Sequence, residues 1–281
     1  MPAERFDVPL SDGTLLAGER RGSRGAPAVV LLHAGVADRR VWHGVLDRLE
    51  DDDLDLVAYD RRGYGQTPRG AEGFRHVDDL VAVLDAAGAD RAVLVGNSMG
   101  GALALDLALE RPDRVAALLL IGAAVSGMTD EGEDLDWTID EPTGAILSAQ
   151  EAAEEAGDVE EQVRLQLHLW LDGPTAEEGR VDGAARELAA DMNRRILTAG
   201  TKGEDGASGL DAWHRLGEIT APALVTWGEL DLPPDQPFYE LTAQRLGDAR
   251  TRVLPGTAHL PSLDRPGVVA GLVRDAAALA R

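Results

Sequence analysis

Four stretches of this chain are apolar at nearly every position: residues 28–33, 54–59, 92–95 and 115–121. A strand with one wet face alternates apolar and polar residues. A strand that does not alternate is buried on both faces, as in a parallel sheet covered by helices above and below. The chain between these runs supplies the covering. Residues 74–87 carry Val77, Leu80, Val81 and Leu84 at helical spacing, and residues 100–110 read as a second helix stopped by Pro112. Ahead of the first run, residues 8–10 and 15–20 flank Ser11-Asp12-Gly13-Thr14, a hairpin turn signal. Alternation of this kind defines an α/β chain with a mainly parallel sheet.

The alternation stops at Ser126 and resumes near Leu210. Between them only loops and helical patterns occur, at 148–156, 159–171 and 181–197, with Pro142, Pro174 and glycines as separators. Beyond them come an apolar strand at 223–227, a helix at 237–246, a strand at 251–254 and a helix at 267–280. The expected organisation is a core of residues 1–125 and 210–281 interrupted by a helical cap of residues 126–209.

Charge follows the same division. The 281 residues carry 50 acidic and 27 basic side chains, a net charge of −23. From Ser126 to Arg180 there are 16 acidic residues against two basic ones, a local balance of −14. So acidic a chain repels phosphate backbones and anionic bilayers, which argues against nucleic-acid and membrane partners. The 44% hydrophobic content is enough for a packed core. Without cysteine there are no disulfides and no thiolate chemistry. The N-terminus lacks a basic stretch followed by an apolar one, and no apolar run nears membrane-spanning length, so a cytoplasmic location is expected.

The chemistry-bearing motif is Gly96-Asn97-Ser98-Met99-Gly100, a G-x-S-x-G directly after the strand at 92–95 and opening the next helix. A tight strand-to-helix turn of this sort lifts a serine hydroxyl above the sheet, the glycines allow the close backbone approach, and the helix N-terminus favours developing negative charge. A serine needs a base. Of six histidines, His259 lies just past the last strand, where an α/β sheet places its site. His43, His76, His168 and His214 fall in helical patterns, and His33 ends a strand in a separate motif. The base needs a carboxylate, and Asp231 follows the strand at 223–227, with Glu229 and Asp235 as nearby competitors. The order Ser98, Asp231, His259 is the one this kind of sheet uses. Two backbone N–H donors must hold an oxyanion: that of Met99, and one from the loop at 33–36, where Gly35 is favoured over Ala34 and Val36.

These residues resemble the α/β-hydrolase superfamily, in particular its small carboxylesterases, enol-lactonases and cofactor-free perhydrolases. The resemblance rests on His33-Ala34-Gly35 with Trp42 downstream, Tyr59-Asp60-Arg61-Arg62-Gly63-Tyr64-Gly65, the turn at Ser98, the loop at Asp231 and Thr257-Ala258-His259. It departs at Ala34, where relatives often have glycine. The resemblance implies an α/β-hydrolase fold, with a mainly parallel eight-stranded sheet, helices on both faces and an inserted cap. It implies a serine hydrolase acting on a small-molecule carboxylic ester or lactone through an acyl-enzyme on Ser98, with no metal or cofactor. The 60–65 stretch is a structural turn in such proteins. Dehalogenases and epoxide hydrolases of this fold carry Asp at the elbow, which Ser98 excludes. Carbon–carbon bond hydrolases of diketo acids typically place Trp after the catalytic histidine, where this chain has Leu260. That activity, and a ligand receptor with slow hydrolysis, are the alternatives. Trp137, Trp170, Leu171 and Met192 either line a pocket under the cap or pack the cap onto the core. The acidic cap favours neutral substrates and is expected to raise the His259 pKa in a salt-sensitive way. Oligomeric state is left open.

Overall fold

A computed structural model describes residues 4–128, 138–200 and 206–280. In chain order the strands are β1 (Glu4–Arg5), β2 (Val8–Pro9), β3 (Leu15–Leu16), β4 (Gly18–Gly22), β5 (Ala28–Leu32), β6 (Asp55–Tyr59), β7 (Ala92–Asn97), β8 (Val115–Ile121), β9 (Ala223–Gly228) and β10 (Ala249–Leu254). The helices are α1 (His43–Arg48), α2 (His76–Ala87), α3 (Met99–Glu110), α4 (Glu141–Glu155), α5 (Val159–Leu167), α6 (Gly183–Ala199), α7 (Gln236–Arg245), α8 (Pro261–Asp264) and α9 (Pro266–Leu279). Eight strands form one sheet in the order β1-β4-β6-β5-β7-β8-β9-β10, and β2 and β3 form a separate hairpin. From β6 to β10 every neighbouring pair is parallel; β1 and β4 are antiparallel additions at one edge.

The period-two geometry of the strands explains why their sequences do not alternate. Ala28, Val30 and Leu32 of β5 face one apolar cluster, with α2, α3 and α7. Val29 and Leu31 face the other, with α1 and α9. The expected strands and helices of the core are present with ends shifted by a residue or two, except that the strand expected over 15–20 divides into β3, paired with β2, and β4, which joins the large sheet.

The chain runs from β5 outward to β6, then crosses back over β5 to β7. This reversal opens a crevice at the carboxyl ends of the central strands, where an α/β sheet binds its ligands. The loops after β5, β7, β8, β9 and β10 all emerge at that edge. Between β8 and β9 the described residues hold helices and no strand. One expectation there is corrected. Pro142 is not a separator: it lies in the first turn of α4, whose N-cap Asp140 accepts the Thr143 N–H at 2.9 Å. A first-turn proline loses no helical hydrogen bond, so the helix begins seven residues earlier than its apolar pattern does. Among the described residues no helix is long and apolar enough to cross a membrane.

Candidate active site

Ser98 sits between β7 and α3 with φ 56° and ψ −121°, the single non-glycine residue of positive φ among those described. Such a conformation costs about 1–3 kcal/mol and persists only where the surroundings over-determine it. Here they do. The Ser98 N–H donates to the Ile121 carbonyl at 3.0 Å, and its own carbonyl accepts from Gly101, Ala102 and Ala124 at 2.8, 3.2 and 3.1 Å. The glycines of the motif are steric necessities. A Cβ on Gly100 would lie 2.2 Å from the Leu32 carbonyl oxygen, and one on Gly96 would lie 2.4 Å from that of Gly100.

Asp231 and His259 come from the loops after β9 and β10, and the structure brings them together. The His259 Nδ1–H donates to Asp231 at 2.9 Å (Oδ2) and 3.1 Å (Oδ1). Asp231 also accepts from the Leu232 N–H at 2.9 Å and the Tyr239 hydroxyl at 3.3 Å. The pair is buried, at 1% exposure for Asp231 and 4% for His259. With Nδ1 committed to the carboxylate, the Nε2 lone pair is the one left to accept a proton. Burial pushes the imidazole pKa down, but the Asp231 charge and hydrogen bond, helped by Asp235, outweigh it and hold it above the usual 6.5. Asp235, the competitor on the same loop, is itself pushed up to about 6 by burial and by the Asp231 charge. The other competitor, Glu229, accepts the Gly256 N–H at 2.9 Å instead. The groups that raise His259 therefore belong to the acid loop of the core. Among the described residues, no carboxylate of the acidic insert stands beside them as a cause.

Gly35 and Met99 also meet, since a Cβ on Gly35 would lie 2.5 Å from the Met99 sulfur. The loop carrying Gly35 is fixed from beneath by His33. Its Nδ1–H donates to the Ala34 carbonyl at 2.8 Å and its Nε2 accepts the Arg61 N–H at 3.1 Å. Complete burial drives the His33 pKa well below its ordinary value, which keeps the ring neutral for both roles. Asp60 is equally structural, accepting the N–H groups of Arg39 and Gln66, each at 2.8 Å. A cavity of about 100 Å³ borders Met99, with Leu103, Asp106 and Ser126 among its walls.

Sequence reasoning missed three contributors. The Asn97 side-chain N–H₂ donates to the carbonyls of Ile121 at 2.9 Å and His259 at 3.1 Å, tying the residue before Ser98 to the histidine loop. Gly122 has φ +48°, and a Cβ there would stand 2.9 Å from Asp231 Oδ2 and 3.0 Å from His259 Nδ1. Its signal was a glycine directly after an apolar strand, at the sheet's ligand edge. Tyr239, on α7, has no local signal that points to Asp231.

The helices between β8 and β9 pack directly on these loops. Leu171, Val163 and Ala189 form one apolar cluster with Ala34 and Leu260, and Ile146, Leu165 and Leu169 form another with Leu232. Of the four proposed pocket or packing residues, Trp170 stacks on the His259 ring, with centroids 4.7 Å apart. Leu171 and Met192 are packing residues, Met192 receiving the Asp38 N–H on its sulfur at 3.5 Å. Trp137 lies outside the described residues. Among the described residues no group of three or more His, Cys, Asp or Glu is placed to hold a metal.

A parallel sheet with a strained serine after its central strand, and a buried carboxylate–imidazole pair on two later loops, defines the α/β-hydrolase class. Comparison with known proteins agrees: residues 27–266 match the family described as the alpha/beta hydrolase fold, and the chain belongs to that family of hydrolases. It is 30% identical to the putative carbamate hydrolase RutD of Variovorax paradoxus over 85% of this chain and 87% of that protein. It is 30% identical to a 2-hydroxy-6-oxononadienedioate/2-hydroxy-6-oxononatrienedioate hydrolase of Burkholderia vietnamiensis over 79% and 77%. A solved structure of an N-acyl homoserine lactone degrading enzyme superposes with a TM-score of 0.72 at 26% identity, over 96% of this chain and 99% of that one.

Proposed function

We propose that this protein is a serine hydrolase of small neutral carboxylic esters or lactones. The observation that carries the reading is the backbone of Ser98. A strained, over-determined serine at the mouth of the sheet is placed to present its hydroxyl as a nucleophile. In this reading His259 Nε2 takes the hydroxyl proton as Ser98 Oγ attacks the carbonyl carbon. The backbone N–H groups of Met99 and Gly35 receive the oxyanion. The carbon–oxygen bond then breaks, and the alkoxide leaves with the proton from His259. Water, deprotonated by the same imidazole, attacks the acyl-enzyme, releases the acid and restores Ser98. Asp231 keeps its proton-free charge throughout and stabilises the transient imidazolium. Residues 126–209 act as the cap over this site, a role supported by the apolar contacts of their helices with the loops at Ala34, Leu232 and Leu260. The lactone-degrading structural relative supports the substrate class.

The test is labelling with a fluorophosphonate, followed by turnover on an ester and lactone panel. Labelling of the wild type and its loss in Ser98→Ala is expected; labelling that survives the substitution overturns the nucleophile. A burst without steady-state turnover favours the receptor alternative. A second reading, carbon–carbon bond hydrolysis of a dienoic diketo acid, is favoured by the 30% identity to the Burkholderia vietnamiensis enzyme. Bleaching of a coloured ring-cleavage product at a rate above that of any ester selects it.

A further inference from the structure

Trp170 lies far from Ser98 in sequence and on a different layer, yet its indole faces the ring of His259 at 4.7 Å between centroids, tilted by 49°. Three features of the chain produce this contact. Residues His168–Asp172, which follow α5, wind as a π-helical turn, whose extra residue re-aims the side chains beyond it. The turn ends at Gly173, φ +96°, where a Cβ would stand 2.4 Å from the Leu230 carbonyl oxygen, so the turn is pressed onto the acid loop next to Asp231. Arg180 then fastens it to the histidine loop. Its guanidinium donates to the carbonyls of Asp172 and Leu171 at 2.7 and 2.8 Å, to the Gly256 carbonyl at 2.9 Å and to Asp264 at 2.7 Å. The indole itself is half-buried and packs against the apolar clusters on both sides of it.

The position has a chemical meaning that rests on the ester or lactone reading above. When the carbon–oxygen bond breaks, the departing oxygen receives its proton from the His259 imidazole, so it must lie within hydrogen-bond reach of that ring. Whatever is attached to that oxygen lies alongside the imidazole, and the surface alongside the imidazole is the indole. In that reading the carbonyl oxygen of the acyl half, bonded to Ser98, is turned to the N–H groups of Met99 and Gly35 instead. We infer that Trp170 is the specificity-determining residue for the alcohol half of the substrate, its ring forming the wall on which an aryl or benzyl leaving group stacks.

The experiment compares kcat/KM on benzyl acetate and ethyl acetate, alcohols of similar leaving ability, for wild type, Trp170→Phe, Trp170→Leu and Trp170→Ala. Ethyl acetate, butyrate and hexanoate report the acyl side in the same variants. A stacked aromatic pair contributes about threefold to tenfold in preference. The benzyl-to-ethyl ratio is therefore expected to fall by about that factor in the Ala and Leu variants, chiefly through KM, and to stay near wild type in the Phe variant. The acyl-length profile should stay unchanged. A ratio that does not move in Leu or Ala, or an acyl profile that moves in its place, overturns the inference. The Leu variant keeps most of the bulk, so the comparison survives if Ala does not fold. Ester turnover that persists in Ser98→Ala is a failure of the proposed function itself. Turnover lost in Ser98→Ala with an unmoved benzyl-to-ethyl ratio is a failure of the Trp170 assignment alone.

Discussion

The turn at Ser98 and the helical insert are built by opposite means. The turn is defined by backbone against backbone: carbonyls of Leu32 and Gly100 lie where a Cβ would fall, and four main-chain hydrogen bonds hold Ser98 itself. The insert is held by side chains: apolar clusters against the core loops, and a set of arginine pairs. Arg180 reaches Asp264, Arg40 joins Asp38 to Asp191 on α6, Arg186 pairs with Asp172, and Arg194 with Glu160. Backbone-defined geometry admits no substituent and reads out as a fixed motif. Side-chain-defined geometry can be rewritten one residue at a time, which suits the substrate-facing cap proposed above. The two regions should therefore fail differently when altered.

The largest effect belongs to the turn. Ser98→Ala should lower kcat/KM on an active ester by about 10⁴–10⁶ while leaving the circular dichroism and melting temperature near wild type, since the hydroxyl makes no fold-defining contact. A loss below a hundredfold would mean that the chemistry lies elsewhere. Next comes Gly122→Ala. Its methyl would press on Asp231 and His259 at once, at 2.9 and 3.0 Å, and its φ of +48° strains any residue with a Cβ. Displacing a proton-transfer pair by a fraction of an ångström to 1 Å costs on the order of 10² in rate. Steady-state kinetics with unchanged fluorophosphonate stoichiometry would isolate that effect from unfolding.

The same contrast explains what the sequence disclosed. Period-two packing on both faces leaves uninterrupted apolar runs, so β5, β7 and β8 were legible, and the strand-to-helix turn was legible because only glycines fit around it. Asp231 and His259 were legible from their places after the last two strands. Gly122 and Asn97 stood in plain view, but their roles depend on the histidine loop folding back across more than a hundred residues. Trp170 was seen only as one of four pocket or packing residues. Its contact with His259 depends on a π-helical turn and on Arg180, and neither leaves a periodic trace. The acidic count of the insert does not translate directly into a field at His259: among the described residues several of its carboxylates pair with arginines, Glu161 and Glu178 with Arg164, and the charges that raise His259 are those of Asp231 and Asp235.

On the insert the expected effects are energetic before they are catalytic. Arg180→Met keeps the aliphatic stem but removes four hydrogen bonds that join the π-helical turn to the loops of the core. Breaking a buried ion pair costs about 3–5 kcal/mol. The guanidinium is one-fifth exposed, so solvent replaces part of it and about 2 kcal/mol is expected. For a chain of this length that is a drop of roughly 3–4 °C in melting temperature. A drop under 1 °C in differential scanning calorimetry would mean that the apolar clusters alone seat the insert.

The smallest effect is the most diagnostic of where the charge acts. In the proposed mechanism His259 must be neutral to take the Ser98 proton, so activity is expected to rise as pH increases through its pKa, which lies above 6.5. Asp235 contributes to that elevation once it is ionised, above about pH 6. Asp235→Asn should therefore move the acid limb of kcat/KM to lower pH and raise activity at pH 6 relative to pH 8. Stability should shift with it. A carboxyl whose pKa is raised in the folded state holds its proton more tightly there, so its contribution is fully present below the ordinary 3.8 and is lost as pH rises to about 6. The Asn variant lacks that loss, and its melting temperature should gain on wild type between pH 4 and pH 7. Because Asp231 and His259 are buried, raising salt from 0.1 to 0.5 M, which shortens the screening length from about 10 Å to roughly half of that, should leave the wild-type limb nearly in place. A limb that moves strongly with salt and not with Asp235→Asn would return the control of His259 to the carboxylates of the insert.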